Sequence, residues 1–210
     1  MKAFKSTILD VDGVLFDSNT LKHDNMRKAA SEFAEGERLE EFLSYFILHN
    51  GLPREIKIEK YFGKDTMISQ ALLNRYNQLN QQTLMAAEMT QGSKDFLRKA
   101  SSQMPVWALS GGAEREVKAL FEKNNITSFF EGIYGGPVSK KEHIKKLPVV
   151  HPCLYVGDSK IDYETALLVD AGFAFMTRYT QFDGWAVFFE DKPEVTIIPD
   201  LTYFFQDINS

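Results

Sequence analysis

Six short apolar runs recur along the chain: Ser6–Leu9, Val106–Leu109, Gly132–Tyr134, Cys153–Val156, Phe173–Met176 and Val195–Ile198. Each is nearly continuous in apolar character and bounded by turn residues or charges. That pattern predicts strands covered on both faces, as in a parallel sheet. Helical spacing fills the gaps between the later runs. "AEREVKALFEKNN" places Val117, Leu120 and Phe121 on one stripe. "DYETALLVDAG" places Ala166, Leu167 and Val169 to Ala171 around another, ending at Gly172. Alternation of this kind predicts an α/β core with a Rossmann-like, doubly wound parallel sheet.

Between the first two runs the pattern changes. Met26, Ala29, Ala30 and Phe33 recur at helical spacing up to Gly36, and Leu39, Phe42, Leu43, Phe46 and Ile47 do so up to Gly51. "REIKIEKYFG" and "DTMISQALLNRYNQLNQQTLMAAEM" continue in the same style, with no strand signal. The division expected is an α/β core of residues 1–18 and 91–210, with an all-helical cap of residues 19–90 inserted early.

Composition leaves this picture standing and narrows the function classes. Of 210 residues, 44% are hydrophobic and 25% charged, the balance of a folded globular chain rather than a disordered one. A net charge of −5 argues against a general nucleic-acid or anionic-membrane partner. The single cysteine, Cys153, excludes an internal disulfide framework and a cysteine-built zinc site, and is read as a small buried residue. "MKAFKSTILD" lacks the apolar stretch of a signal peptide and no run reaches membrane-spanning length, so a cytoplasmic protein is expected. Oligomeric state is not readable. The aromatic-rich tail from Phe182 onward fits either the edge of the core or a dimer patch.

Open α/β sheets bind ligands beyond the carboxyl ends of their strands, and the residues there form a set. The first run ends in Asp10-Val11-Asp12-Gly13, the second in Ser110-Gly111-Gly112, and the third is followed by Lys140-Lys141. The fourth ends in Gly157-Asp158 and reaches Asp162 four residues later. Four carboxylates without a histidine or cysteine cluster suit a hard cation that prefers oxygen, and Mg²⁺ first. A helix start after Ser110 offers N–H groups and a hydroxyl to an anion, and a lysine adds a point charge beside it. A carboxylate can attack phosphorus and a second acid can protonate the leaving oxygen. The set points to a phosphate ester.

"DVDGVLFDS", "LSGG", the lysine of "GPVSKKEHI" and "VGDSKIDYETALLVDAG" resemble the four motifs of the haloacid dehalogenase-like superfamily. The position of the insert resembles its helical-cap type, as in phosphoglycolate phosphatases and β-phosphoglucomutases. The resemblance implies a phosphatase acting through an aspartyl-phosphate. Asp10 is then the nucleophile, and Asp12 the general acid and later base, whose backbone carbonyl binds the metal. Ser110 and Gly111 hold phosphate oxygens, Lys140 balances charge (with Lys141 its adjacent rival), and Asp158 ligates the metal with Asp162 in support. An acid at position 12 also implies an alkoxide leaving group, since the dehalogenase and phosphonate branches usually lack one there. A phosphomutase of the β-phosphoglucomutase type, or a non-catalytic binding module, are the alternatives. In the cap, His49, Asn50, Arg54 and Lys57 surround a Gly-Leu-Pro turn and are the candidate contacts to a small phosphosugar or phospho-acid, Arg54 foremost for its two-pronged reach. Asn19 and Lys22, just after the first motif, are further candidates.

Overall fold

The computed structural model describes residues 4–208. Six parallel strands form one sheet in the order β3-β2-β1-β4-β5-β6: β1 is Ser6–Leu9, β2 Val106–Ala113, β3 Gly132–Gly136, β4 Cys153–Gly157, β5 Gly172–Met176 and β6 Thr196–Ile198. Every predicted strand is present. β1 lies between β2 and β4, with Ile8 opposite both Trp107 and Tyr155. The chain therefore leaves β1 in one direction toward β3 and in the other toward β6, which puts the topological switch at the β1–β4 border.

Alternation along the strands divides the core in two. Leu9, Val106, Ala108, Leu154, Val156, Ala174 and Met176 face one layer, shared with α5 (Ser93–Ser101) and α6 (Glu114–Lys123). Ile8, Trp107, Leu109, Cys153, Tyr155, Phe173 and Phe175 face the other, shared with α7 (Lys140–Ile144), α8 (Lys160–Leu167) and α9 (Trp185–Phe189). Both faces are buried, as near-continuous apolar runs require. The aromatic tail completes this core: Trp185 and Phe189 pack on Phe175, and Phe204 packs on Phe96. Two sequence expectations shift here. Helix α8 stops at Leu167, which is 56% exposed, so the apolar stripe through that residue is shorter than its period suggests. Gly36 opens a helix instead of closing one, because the preceding helix ends at Ala30.

Between β1 and α5 the chain is helical: α1 Asn19–Ala30, α2 Gly36–Leu48, α3 Arg54–Phe62 and α4 Met67–Thr83, with a short 3₁₀ turn at Leu84–Ala86. These helices own a separate core of Met26, Ala29, Phe42, Leu43, Phe46, Ile58, Leu72 and Tyr76. No helix among the described residues is long and apolar enough to cross a membrane.

Gly157, at the end of β4, is held to its size by α8: a Cβ there would lie 2.2 Å from the Cβ of Asp162. Gly157→Ala is expected to cost about 1–3 kcal/mol in urea denaturation, the usual penalty for overpacking. Gly172→Ala, whose Cβ would meet Phe4 at 3.5 Å and the Cys153 carbonyl at 3.7 Å, both ordinary contacts, should stay within about 0.5 kcal/mol of wild type. Equal midpoints for the two variants would show that α8 shifts freely away from β4.

Candidate active site

At the β1–β4 border two carboxylates come together because their strands are neighbours. Asp10 leaves β1 and Asp158 leaves β4, and both are almost fully buried. Gly13 makes the approach sterically feasible. It sits at φ +77°, a conformation that favours glycine, and a Cβ there would come within 2.1 Å of an Asp158 oxygen. Asn19, at the start of α1, donates to that same oxygen at 2.7 Å.

Lys140 is the positive charge of this floor. Its Nζ lies 2.6 Å from both Asp10 and Asp162 and its side chain is 1% exposed. Burial alone would pull its ammonium down, but Asp10 and Asp162 reverse this and hold it above the usual lysine range. Lys141 points elsewhere, to a half-exposed pair with Glu164 at 2.6 Å, so Lys140 is the lysine at the site. Asp162 is saturated. One oxygen accepts from Lys140 and the Tyr155 hydroxyl, the other from the Ser159 N–H and hydroxyl in a capping box at the start of α8. That arrangement makes it an anchor for Lys140 more than a direct ligand.

The carboxylate cluster as a whole fits a divalent cation, with Asp162 its anchored member. Oxygens of Asp10, Asp158 and Asp162 lie within 4.8 Å of one another. The second Asp158 oxygen is buried with no hydrogen-bond partner, a costly state for a carboxylate unless an ion meets it. Burial, and then the neighbouring Asp162, push the Asp10 pKa up to about 8 despite Lys140. Burial and Asp10 push Asp158 well up too. These groups want more positive charge than the protein supplies, and an all-oxygen donor set suits magnesium.

Asp12 stands apart from that cluster. Its carboxylate pairs with Lys22 of α1 at 2.5 Å, and accepts from Ser18 at 2.5 Å and Ser110 at 3.3 Å. Burial raises its pKa, but Lys22 and Ser18 outweigh that and leave it below the ordinary carboxylate value. Ser110 also accepts the Gly112 N–H at 2.9 Å. Here the sequence expectation needs correcting. Ser110-Gly111-Gly112 does not open directly into a helix; β2 continues through it to Ala113, with its register against β3 shifting after Leu109, and α6 begins at Glu114.

The helical insert closes the far side. A cavity of about 40 Å³ is lined by Asp10, Asp12, Gly112 and Lys140 of the α/β core and by Lys22, Asn50, Leu52, Arg54, Lys57 and Tyr76 of the insert. The turn at Gly51 is wedged in place. A Cβ on Gly111 would lie 2.7 Å from the Gly51 carbonyl oxygen, and one on Gly51 would lie 2.9 Å from the Ser159 hydroxyl. Of the four cap candidates, Asn50 reaches Asn19 at 3.4 Å, while His49 stacks on Tyr45 and bonds its carbonyl at 2.8 Å. His49 does not line the cavity. Arg54 lines it, but its guanidinium is engaged by Glu116 of α6 in a two-pronged pair, by Asn77 at 2.6 Å and by the Tyr76 ring. Lys57 lines the cavity and makes no ion pair among the described residues.

Sequence reasoning undervalued Lys22 and passed over Ser18, Tyr155, Glu116 and Gln181, the last of which also lines the cavity. One signal was available: Asn19 and Lys22 are three apart in one helix and so share a face. Glu116 carried none, because its partner lies 62 residues away.

The family model of the haloacid dehalogenase-like hydrolases matches residues 7–176. No curated protein matches the sequence significantly. Among solved structures, a Haemophilus somnus protein described as a predicted phosphoglycolate phosphatase superposes with TM-score 0.73 at 17% identity, covering 98% of each chain. A candidate β-phosphoglucomutase from Thermotoga maritima gives 0.66 at 16% identity, covering 97% of this chain and 100% of the other. A candidate hydrolase of the same superfamily from Bacillus subtilis, bound to magnesium, gives 0.65 at 13%, covering 99% of each. At such identities these likenesses speak for the fold.

The unfolded chain loses the Asp10 proton near 3.8, whereas the folded, metal-free protein keeps it to about 8. Metal-free stability should therefore fall as pH rises across that interval, and Asp10→Asn should flatten the slope. Thermal melts in chelator from pH 5 to pH 8 test this; a wild-type slope of opposite sign contradicts it. Glu116→Ala strands the buried Arg54 charge and should cost about 3–5 kcal/mol, against much less for the double variant Glu116→Ala/Arg54→Met. Additive costs in denaturation would show that the two side chains do not act as a pair.

Proposed function

This chain belongs to the haloacid dehalogenase-like hydrolases, and on that basis we propose that it is a magnesium-dependent phosphatase of small organic phosphate monoesters. The observation that carries the reading is the pairing of Lys140 with Asp10 at the floor of the cavity, beside an Asp158 oxygen that lacks a partner. Asp10, Asp158 and the Asp12 carbonyl, with Asp162 in support, would hold a magnesium ion, which when bound would supply the charge that lets these carboxylates ionise next to a phosphoryl group.

Asp10 attacks phosphorus. A bond forms from its carboxylate oxygen, the ester P–O bond breaks, and Asp12 hands a proton to the departing alkoxide. Water then attacks the phosphorylated Asp10. Asp12 takes the water proton, the acyl–phosphate bond breaks, and inorganic phosphate leaves with Asp10 restored. Lys140 offsets charge on both Asp10 and the phosphoryl oxygens, and Ser110 with the Gly111 N–H holds those oxygens. Lys22 gives the acid step its condition. While it grips Asp12, that carboxylate stays ionised; an arriving phosphate ester is a competing anion, and drawing Lys22 away lets Asp12 take from solvent the proton it then hands to the alkoxide, the proton later taken from the attacking water being returned to solvent.

The helical insert acts as a cap, dividing the chain into a core of 1–18 and 91–210 and a cap of 19–90. It excludes bulk water over the floor. The lack of a spanning helix among the described residues fits a cytoplasmic place of work.

Phosphate release from an aryl phosphate should require Mg²⁺, stop in chelator, and fall at least about 10³-fold in Asp10→Asn, the scale lost with a covalent nucleophile. Release that survives this substitution would refute the nucleophile. Sugar-phosphate interconversion without free phosphate would assign a mutase instead.

A further inference from the structure

Helix α6 faces the insert along one stripe of Glu116, Ala119 and Lys123, spaced three and four apart. Both ends of the stripe are tied across. Glu116 holds Arg54 of α3, and the Lys123 ammonium donates to the Met85 carbonyl just beyond α4. Ala119 stands between these tethers and is too small to reach across. The seam opens there into a second cavity of about 300 Å³, against about 40 Å³ over the ionic floor. Gln81, Leu84 and Met85 line it from the insert, and Arg115, Glu116 and Ala119 from α6. The two cavities share a wall. Tyr76 lines the first, and Asn80, one turn further along α4, lines the second. Glu116 lines the second and grips Arg54, which lines the first.

From this geometry, we propose that the seam is a binding site for a small effector, a monocarboxylic acid with a compact apolar body, whose presence reaches the active cavity through Glu116. Small-molecule sites begin at about 300 Å³, so the space suits a body of one or two rings. Leu84, Met85 and Ala119 give that body an apolar lining. Arg115 fixes the polar end. It makes no ion pair among the described residues, and a free guanidinium takes a carboxylate in two parallel hydrogen bonds. The Gln81 amide adds a further donor to the lining. A doubly charged group fits less well, because Glu116 already puts a negative charge in the same wall. Glu116 is also the link. Its carboxylate is balanced by Arg54, so a charge arriving on one side of it alters its hold on the other. The seam site is independent of the chemistry proposed for the floor, and its test needs no turnover.

Calorimetry on the full-length protein tests it, with 2-naphthoate as the probe and neutral 2-naphthamide as its match. Wild type should bind one 2-naphthoate about 10- to 100-fold more tightly than the amide, the scale of one charge-assisted hydrogen bond. Arg115→Gln should bring the two within about threefold of each other. Ala119→Trp, which builds an indole into the seam from an exposed helix position, should weaken both at least about 10-fold. Arg54→Met leaves the Glu116 carboxylate bare in the shared wall. It should weaken 2-naphthoate about 5-fold or more and leave 2-naphthamide unchanged. Should that variant fail to fold, Arg54→Gln, which keeps a hydrogen bond to Glu116 without the charge, gives the same reading. No saturable binding at millimolar probe, or binding that survives Ala119→Trp, overturns the site. Equal affinity for acid and amide overturns its chemistry. A 2-naphthoate affinity indifferent to the change at Arg54 overturns the link through Glu116.

Discussion

The contact on which the rest of the site depends is the double salt bridge of Lys140. Three buried carboxylates converge where β1 and β4 lie side by side, and their mutual repulsion would open the strand ends without a fixed positive charge between them. Lys140 supplies it from the first residue of a helix only five residues long. So short a helix has little stability of its own. A capping box between Ser139 and Glu142 starts it, and Ile144 plugs it into the sheet. On the other side, Tyr155 and Ser159 hold Asp162 still, so that the lysine has a rigid second anchor. The ionic floor is thus built by the fold around it, from β1, β4, α7 and the start of α8 together.

Over that floor the insert rests on two contacts of opposite character. One is backbone on backbone, where Gly51 and Gly111 approach within side-chain thickness. The other is the buried pair of Arg54 and Glu116, which ties α3 to α6. A buried ion pair adds little to stability when intact, yet losing one partner is expensive. It therefore fixes how the insert sits more than how firmly it sits. Lys57, one turn along the same helix, owes its place above the cavity to that registration.

Much of this was legible in the sequence because the informative signals are local. Continuous apolar runs marked each strand, and the residues at their carboxyl ends marked the crevice; Asp10, Asp12, Ser110, Lys140 and Asp158 all lie around it. What failed was what depends on partners far along the chain. Arg54 looked free because nothing near it in sequence announces Glu116. Lys22 looked secondary because its partner Asp12 had been assigned wholly to chemistry. Ser110-Gly111-Gly112 read as a turn into a helix, since glycines weaken any strand signal, yet pairing with β3 carries β2 through them. Choosing between Lys140 and Lys141 needed the burial of one and the exposure of the other, which adjacent identical residues cannot reveal.

The placement of aromatic side chains gives the molecule two optical reporters. Both tryptophans lie in the α/β layers, Trp107 buried on β2 and Trp185 against Phe175, while the helical insert carries none. Indole emission therefore follows the sheet and not the insert. Loosening of the α/β core around β2 and β5 can thus be watched without labels, with no indole of the insert to blur the signal.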